Sequence, residues 1–483
     1  MLTGKSNVWG NSQMARLFVL TLTIAGLQFT WGVEMSYVNV YLLSLGMSKS
    51  SISLVWAMGP LAGLVTQPVV GLLSDSCSSR WGRRRPFMVV GSLFVSLSLV
   101  TMAWAKELAP LLFFVPEESA TRLIAVLSVF LTDFSINTVQ ACCRALIVDI
   151  LPSSLQQAGN GWAARQTAVG HLIGYFLGFL NLVALTGGWM GSTQLKCLCV
   201  ISSLALLFTV GLTSYLTTEQ VLVKTENHEQ VTLQGVIRHT RDIFASICAT
   251  AFSLPSRMRR IVSVQFFAWY GWFSFLYYSS TWVGEVYQRQ HGIEDGDDKV
   301  GRIGRIGSMS LTVFSVVSLI ASFVMPFLAT NSLFRWRPRL TGIWTTAHLI
   351  FSLAMFSTMY VGSVGAATAV IAFCGYSWAI TTWAPFALMG EEIHRIEDSL
   401  PSHETDHLDE NSDRTADSRT SHTGVYLGIH NMAISAPQFV CTFVSSFVFY
   451  LMEGGEDGGR AIAVTFQIGG LMTLVAAWIS RKL

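Results

Sequence analysis

Long apolar runs constrain this chain more than any other feature. A helix needs about 20 apolar residues to cross roughly 30 Å of hydrocarbon. About twelve segments meet that need, near 15–45, 50–73, 86–106, 121–151, 162–187, 195–216, 259–287, 303–330, 339–360, 362–390, 423–450 and 460–480. Composition points the same way. Only 12% of the 483 residues are charged and 51% are hydrophobic, with a mean hydropathy of +0.49. A soluble chain would be about one-quarter charged. The reading is an all-α integral membrane protein. A net charge of +2 gives no reason to expect nucleic acid or an acidic partner.

The longest polar stretch of the first half separates the sixth run from the seventh. It divides the chain into an N-terminal six-helix bundle (1–216), a cytoplasmic linker (217–257) and a C-terminal six-helix bundle (258–483). With both termini cytoplasmic, inner loops hold more than twice as many Lys and Arg as outer ones, as the positive-inside rule requires. That count needs an even number of spans. No short apolar region with a small-residue cleavage site opens the chain, so the first run is expected to stay in the membrane. The stretch Glu391–His422 is acidic, rich in Ser and His and nearly free of apolar residues, so it is expected to be a disordered tether. Eight scattered cysteines form no metal spacing or disulfide framework. No H-E-x-x-H, nucleophile elbow or P-loop appears. Neither an enzyme nor a bound cofactor or metal is expected, and the partners are a small solute and the bilayer.

The fourth run contains TDFSINTVQACCRALIVDI, from Thr132 to Ile150. On a helix, Asp133, Asn137, Gln140 and Arg144 fall within about 60° of one another, with Asp149 on roughly the opposite side. An acid inside the bilayer is costly and is a functional candidate by default. Asp133 and Arg144 are about 16 Å apart along the axis, too far for a salt bridge. Asp133 therefore needs another partner, water or a proton; the alternative is a structural pair with a neighbouring helix. Arg144 either serves the cavity or snorkels to the inner face. Span one supplies Glu34, with Gln28, Trp31 and Tyr37 around it, at a depth similar to that of Asp133. Two carboxylates facing one cavity repel when both are ionised, so at least one is expected to hold a proton.

Between the second and third runs lies GLLSDSCSSRWGRRRP, Gly71 to Pro86. Gly71 would let another helix pack closely. Asp75 ends its span as an anion near Arg83, Arg84 and Arg85, and is placed to face the positive N-terminus of a partner helix, expected to be the one starting near Thr423. Such a set would latch one state of the carrier. The plainer reading makes the arginines topology signals alone. FRWRPR (Phe334–Arg339) holds the equivalent place in the second half, as a decayed copy.

The form G-x-x-S-D followed by G-R-R-R resembles the loop signature of the major facilitator superfamily. GPLAGLVTQPVVGLLSDSCSSRWGRRRPF (Gly59–Phe87), DFSINTVQACCRALIVD and LGIHNMAISAPQ (Leu427–Gln438) further resemble three blocks of the sucrose and α-glucoside symporters of the glycoside–pentoside–hexuronide group. That resemblance implies proton-coupled uptake of a disaccharide such as sucrose or maltose by alternating access. It implies a proton-linked, sugar-touching role for Asp133 and a coupling role for Arg144. Glu34 is similar to the animal and fungal branch and is placed to share the coupling.

Span seven departs from the family pattern. In WFSFLYYSSTWVGEVY (Trp272–Tyr287), Ser279 and Thr281 stand where the family has two Asp, Ser274 replaces a Pro, and the Arg after Gly284 is absent. The aromatics Trp269, Tyr270, Trp272, Tyr277 and Trp282 are placed either to stack on sugar rings or to pack. Asn431 and Gln438 flank Pro437, where amides either line a cavity or join helices. His430 lies off the family pattern and reads as structural. Gly170, Gly174 and Gly178 form a small-residue packing face. The expected substrate set is thus Asp133, Asn137, Gln140, Glu34, Gln28, Trp31, Trp272, Trp282, Asn431 and Gln438. The expected protein is a monomer in the plasma membrane. An organelle carrier of hexoses or protons, and a sugar sensor signalling through the acidic loop, remain as alternatives.

Overall fold

The structure, a computed structural model, describes residues 2–3, 6–222, 241, 254–292, 299–330, 339–399, 412–452 and 460–483. Its helices are α1 (Gln13–Ser44), α2 (Lys49–Val55), α3 (Met58–Asp75), α4 (Arg85–Ala103), α5 (Ala105–Leu108), α6 (Glu117–Ile150), α7 (Ser153–Phe179), α8 (Leu182–Thr186) and α9 (Gln194–Leu216). The second half has α10 (Ser256–His291), α11 (Lys299–Thr330), α12 (Leu340–Ser357), α13 (Val364–Ser399), α14 (Ser412–Met452) and α15 (Ala461–Ser480). Local chemistry sets several starts. Ser12 caps α1 by accepting from the Ala15 amide at 3.2 Å, while α6 follows Pro116 and opens with Glu117 and Glu118 at its positive end.

Among the described residues, ten helical stretches are long and apolar enough to cross a membrane, with α2 and α3 counted as one stretch. Two more long helices, α7 and α10, sit in the same bundle without meeting that measure. Gln156, Asn160, Arg165, Gln166 and His171 dilute α7, and Arg257, Arg259, Arg260 and Gln265 dilute α10. Both are shielded from lipid on one or more sides: α7 packs on α1 and α11, and α10 on α1, α11, α13, α14 and α15. Apolarity is demanded only where a helix meets hydrocarbon, so these two are free to be polar.

Within the first half, α1 packs on α7 and α9, and α6 on α3 and α4; within the second, α15 packs on α10 and α12, and α13 on α11 and α12. The glycine face of α7 is a packing face. A Cβ at Gly174 would stand 3.0 Å from the Phe29 carbonyl oxygen, and one at Gly170 would strike the Ala25 carbonyl. The halves meet through α7 with α11, α2 with α14, and α1 with α10 and α11. Along the ends far from the termini, side chains join the halves. Ser50 and Ser446 donate to each other's carbonyls at 3.1 Å, Ser280 donates to the Ser36 carbonyl at 2.8 Å, and Lys49 pairs with Glu285.

At the end carrying both termini, ion pairs close within a half. Asp75 pairs with Arg84 and Arg83, and Arg84 also meets Asp149 at 2.9 Å. The Asp75 anion thus faces arginines of its own half. Side chains over 412–428, where the expected partner helix begins, lie outside the described residues. Gly71 was expected to admit a closely packed helix; among the described residues nothing lies within 4 Å of a Cβ built there. Two pairs of short strands, β1 (Leu2–Thr3) with β4 (Val221–Leu222) and β2 (Asn7–Val8) with β3 (Thr217–Thr218), tie the N-terminus to the start of the linker.

The acidic stretch is shorter as a tether than expected. Residues 391–399 continue α13 and 412–422 begin α14, leaving 400–411 outside the described residues. Arg257 of α10 holds Glu392 at 3.1 Å, which anchors a helical turn that apolar burial does not. Of the FRWRPR copy, residues 334–338 lie outside the described residues.

Candidate functional site

Asp133 and Glu34 are buried, at 3% and 1% exposure, in the interior between the halves. They lie near enough for one charge to act on the other. Among the described residues, both Glu34 oxygens and Oδ2 of Asp133 have no hydrogen-bond partner. Buried acids are almost always paired, so these oxygens await a proton, water or a ligand.

The stripe on α6 faces α3 and α14. Asp133 sits over Gly59, and the Asn137 side-chain oxygen accepts from Gln67 of α3 at 3.2 Å. The opposite face of α6, with Leu123, Leu127 and Leu131, is exposed and apolar. Arg144 continues the stripe. Its side chain is exposed and has no ion pair or hydrogen bond among the described residues. Gln140 is half-buried on the same face.

A polar and aromatic chain beside Asp133 joins the two halves. The Gln438 amide, beside Gly59, donates to the Tyr277 hydroxyl. Tyr277 stacks on Trp56 with centroids 4.6 Å apart, the Trp56 indole donates to Asn39 at 2.7 Å, and the Asn39 amide returns to the Tyr277 carbonyl. Asn39 and Trp56 had no place in the expected set. A polar residue deep in span one and the break between α2 and α3 were the available signals.

Gln28 and Trp31 are half-buried on α1, and Trp31 stacks on His171 at 6.2 Å. Trp272 and Trp282 are fully buried inside the second half. Trp272 donates to Thr381 at 3.2 Å and packs on Phe351; the Trp282 indole packs on Phe466. Asn431 lies on α14, and its side chain is outside the described residues.

At the terminal end, Glu219 accepts from the backbone amides of Arg83, Arg84 and Arg85 at 2.9, 2.8 and 2.9 Å. It satisfies orphan donors at the start of α4. Burial works against the Arg84 charge, but Asp149 and Asp75 outweigh it and raise the guanidinium above its ordinary range.

The sequence profile of the Major Facilitator Superfamily matches residues 18–397. The chain belongs to that superfamily. This facilitator is 32% identical, over 97% of its length and 93% of the relative's, to the general alpha-glucoside permease of Schizosaccharomyces pombe. It is 26% identical to the sucrose transport protein SUC4 of Arabidopsis thaliana, covering 93% and 88% of the two chains. Its place is in the sucrose and α-glucoside transporter family. The facilitator fold recurs in the partially occluded inward-open xylose transporter XylE from E. coli, at a TM-score of 0.57 and 14% identity over 97% and 98% of the chains.

Proposed function

We propose that this facilitator carries a disaccharide, sucrose, maltose or a related α-glucoside, together with a proton by alternating access. The observation that carries the reading is the Asp133 carboxyl, buried between the halves near Gly59 and Gln438, with Oδ2 unpartnered among the described residues. A carboxylate with a nearby second acid exchanges charge for neutrality by taking a proton, and its oxygens then bind sugar hydroxyls. The names of the relatives, an alpha-glucoside permease and sucrose transport proteins, supply the substrate class. Asn137, Gln140, Gln28, Trp31 and Gln438 line the route, and Arg144 answers the charge left when the proton departs. The distribution of Lys and Arg supports cytoplasmic termini, and we place the carrier in the plasma membrane as a monomer. The joined far ends then face outside.

Uptake of labelled sucrose and maltose into a transport-deficient cell, at two pH values and with a protonophore, tests the reading. Accumulation should rise as external pH falls and collapse with the gradient. Accumulation indifferent to the protonophore removes the proton from the scheme, and no uptake of either sugar removes the substrate class.

A further inference from the structure

Helix α10 carries Gln265, Trp269, Phe273 and Tyr277 at successive four-residue steps, about 6 Å each along one side. Neighbouring helices surround α10, and residues 270–284 are buried without a break. Trp269 is half-buried just below this run. Its indole packs edge-on to Trp378 of α13 at 5.7 Å and against Phe273 at 5.4 Å. Its Nε1 is buried and has no partner among the described residues.

The upper end of this row is Tyr277, bonded to Gln438 beside Asp133. The lower end is a second polar pair. Gln265 and His430 are each 0% exposed, with the Gln265 amide nitrogen 3.3 Å from Nε2 of His430. Two nitrogens at that distance need one donor and one acceptor. The amide donates, so the ring proton sits on Nδ1. That leaves one donor, His430 Nδ1, and one acceptor, Gln265 Oε1, both buried and both unpartnered among the described residues. Such orphaned pairs cost stability, about 1–3 kcal/mol for each group. A packing role for His430, whose ring meets Phe386 at 4.7 Å, would not require them.

We infer that Gln265 and His430 form a subsite for the second ring of a disaccharide, with Trp269 and Phe273 as the apolar step between it and the Asp133–Gln438 end. This rests on the sugar-transport reading and deepens it. One donor beside one acceptor matches neighbouring sugar hydroxyls, each of which gives and takes a hydrogen bond. The two ends are about 12 Å apart along α14, from His430 to Gln438, and about 18 Å along α10, from Gln265 to Tyr277, a span that suits two linked rings rather than one once side chains reach inward. Aromatic faces suit the C–H faces of pyranoses.

Sucrose and maltose share an α-glucosyl ring and differ in the other, so their ratio reads this subsite. The test is the KM of each sugar, by uptake or by mutual competition, in the full-length carrier and in Gln265→Leu, His430→Phe and the conservative His430→Gln. The ratio of the two KM values should change at least about tenfold in Gln265→Leu and His430→Phe, since unpartnering a sugar hydroxyl costs about that much, and return part-way in His430→Gln. Membrane protein level, read from a tag, controls for folding. An unchanged ratio, or equal loss for both sugars, overturns the subsite. A wild-type carrier that moves neither sugar instead overturns the function on which it rests.

Discussion

Asp133 and Gln438 converge on Gly59. A Cβ built there would stand 3.8 Å from the nearer carboxylate oxygen and 3.4 Å from the amide nitrogen. The glycine thus keeps open the point where an acid of the first half and an amide of the second face one another. Gly59→Ala needs only ordinary contact distances and should leave uptake within about threefold of wild type. Gly59→Leu should fill the space and abolish uptake with the protein still in the membrane. Equal rates for the two variants would place the substrate elsewhere.

The two acids should separate by experiment. Asp133→Asn keeps the shape but cannot release a proton, so accumulation against a gradient should disappear while exchange of sugar across the membrane survives. Glu34→Gln removes the second charge and should reduce accumulation without abolishing it. Wild-type gradients in Asp133→Asn would refute the assignment of the proton to this residue.

Arg144 offers a sharper contrast between roles. Its side chain is exposed on the Asp133 stripe and unpaired among the described residues. A guanidinium that binds a carboxylate or sugar in a fork is not replaced by an ammonium. Arg144→Lys should therefore lose about tenfold or more in uptake. Normal kinetics would mean that the side chain only snorkels.

Much of the fold was legible because the bilayer leaves little choice. Twenty-residue apolar runs have one use, and ten helices qualify on sequence terms. The segments of α7 and α10 were counted among the apolar runs, but both helices fall short of that measure, because packing against neighbouring helices lets them carry polar residues. The Asp133 stripe follows from helical period alone, and its neighbours Asn137 and Gln140 lie where that period puts them. Long-range pairing was not legible. Nothing local says that Gln438 would reach Tyr277, 161 residues away, or that Glu219 would cap α4. Trp272 and Trp282 show the same limit from the other side, since an aromatic residue reads alike whether it lines a cavity or fills a core.

Gly82 gives a stability prediction free of transport. Its φ is +102°, where side chains are strained, and Glu219 lies directly over it, with Cβ 2.7 Å from a built Cβ. Gly82→Ala should cost about 2 kcal/mol, visible as a lower thermal midpoint of the detergent-solubilised protein. Gly187, with φ +61° and nothing described within 4 Å, should cost about 1 kcal/mol on the same change. A Gly82→Ala loss no larger than that at Gly187 would show that the Glu219 contact yields freely.

The far-end seam sets the balance between the two faces of the carrier, and its charges should not act equally. Lys49 and Glu285 join α2 to α10, and the second Glu285 oxygen is buried without a partner among the described residues. Glu285→Gln removes the pair but leaves no buried charge. Lys49→Met strands the carboxylate, whose desolvation then favours opening to water. Lys49→Met should therefore shift the population toward the far-open state more than Glu285→Gln, by about fivefold for each kilocalorie lost. The readout is the rate at which an impermeant thiol reagent, added outside intact cells, labels Asn137→Cys in a carrier whose native cysteines are replaced. Labelling should rise in both variants and faster in Lys49→Met. The reverse order would mean that Glu285, rather than the pair, holds the seam shut.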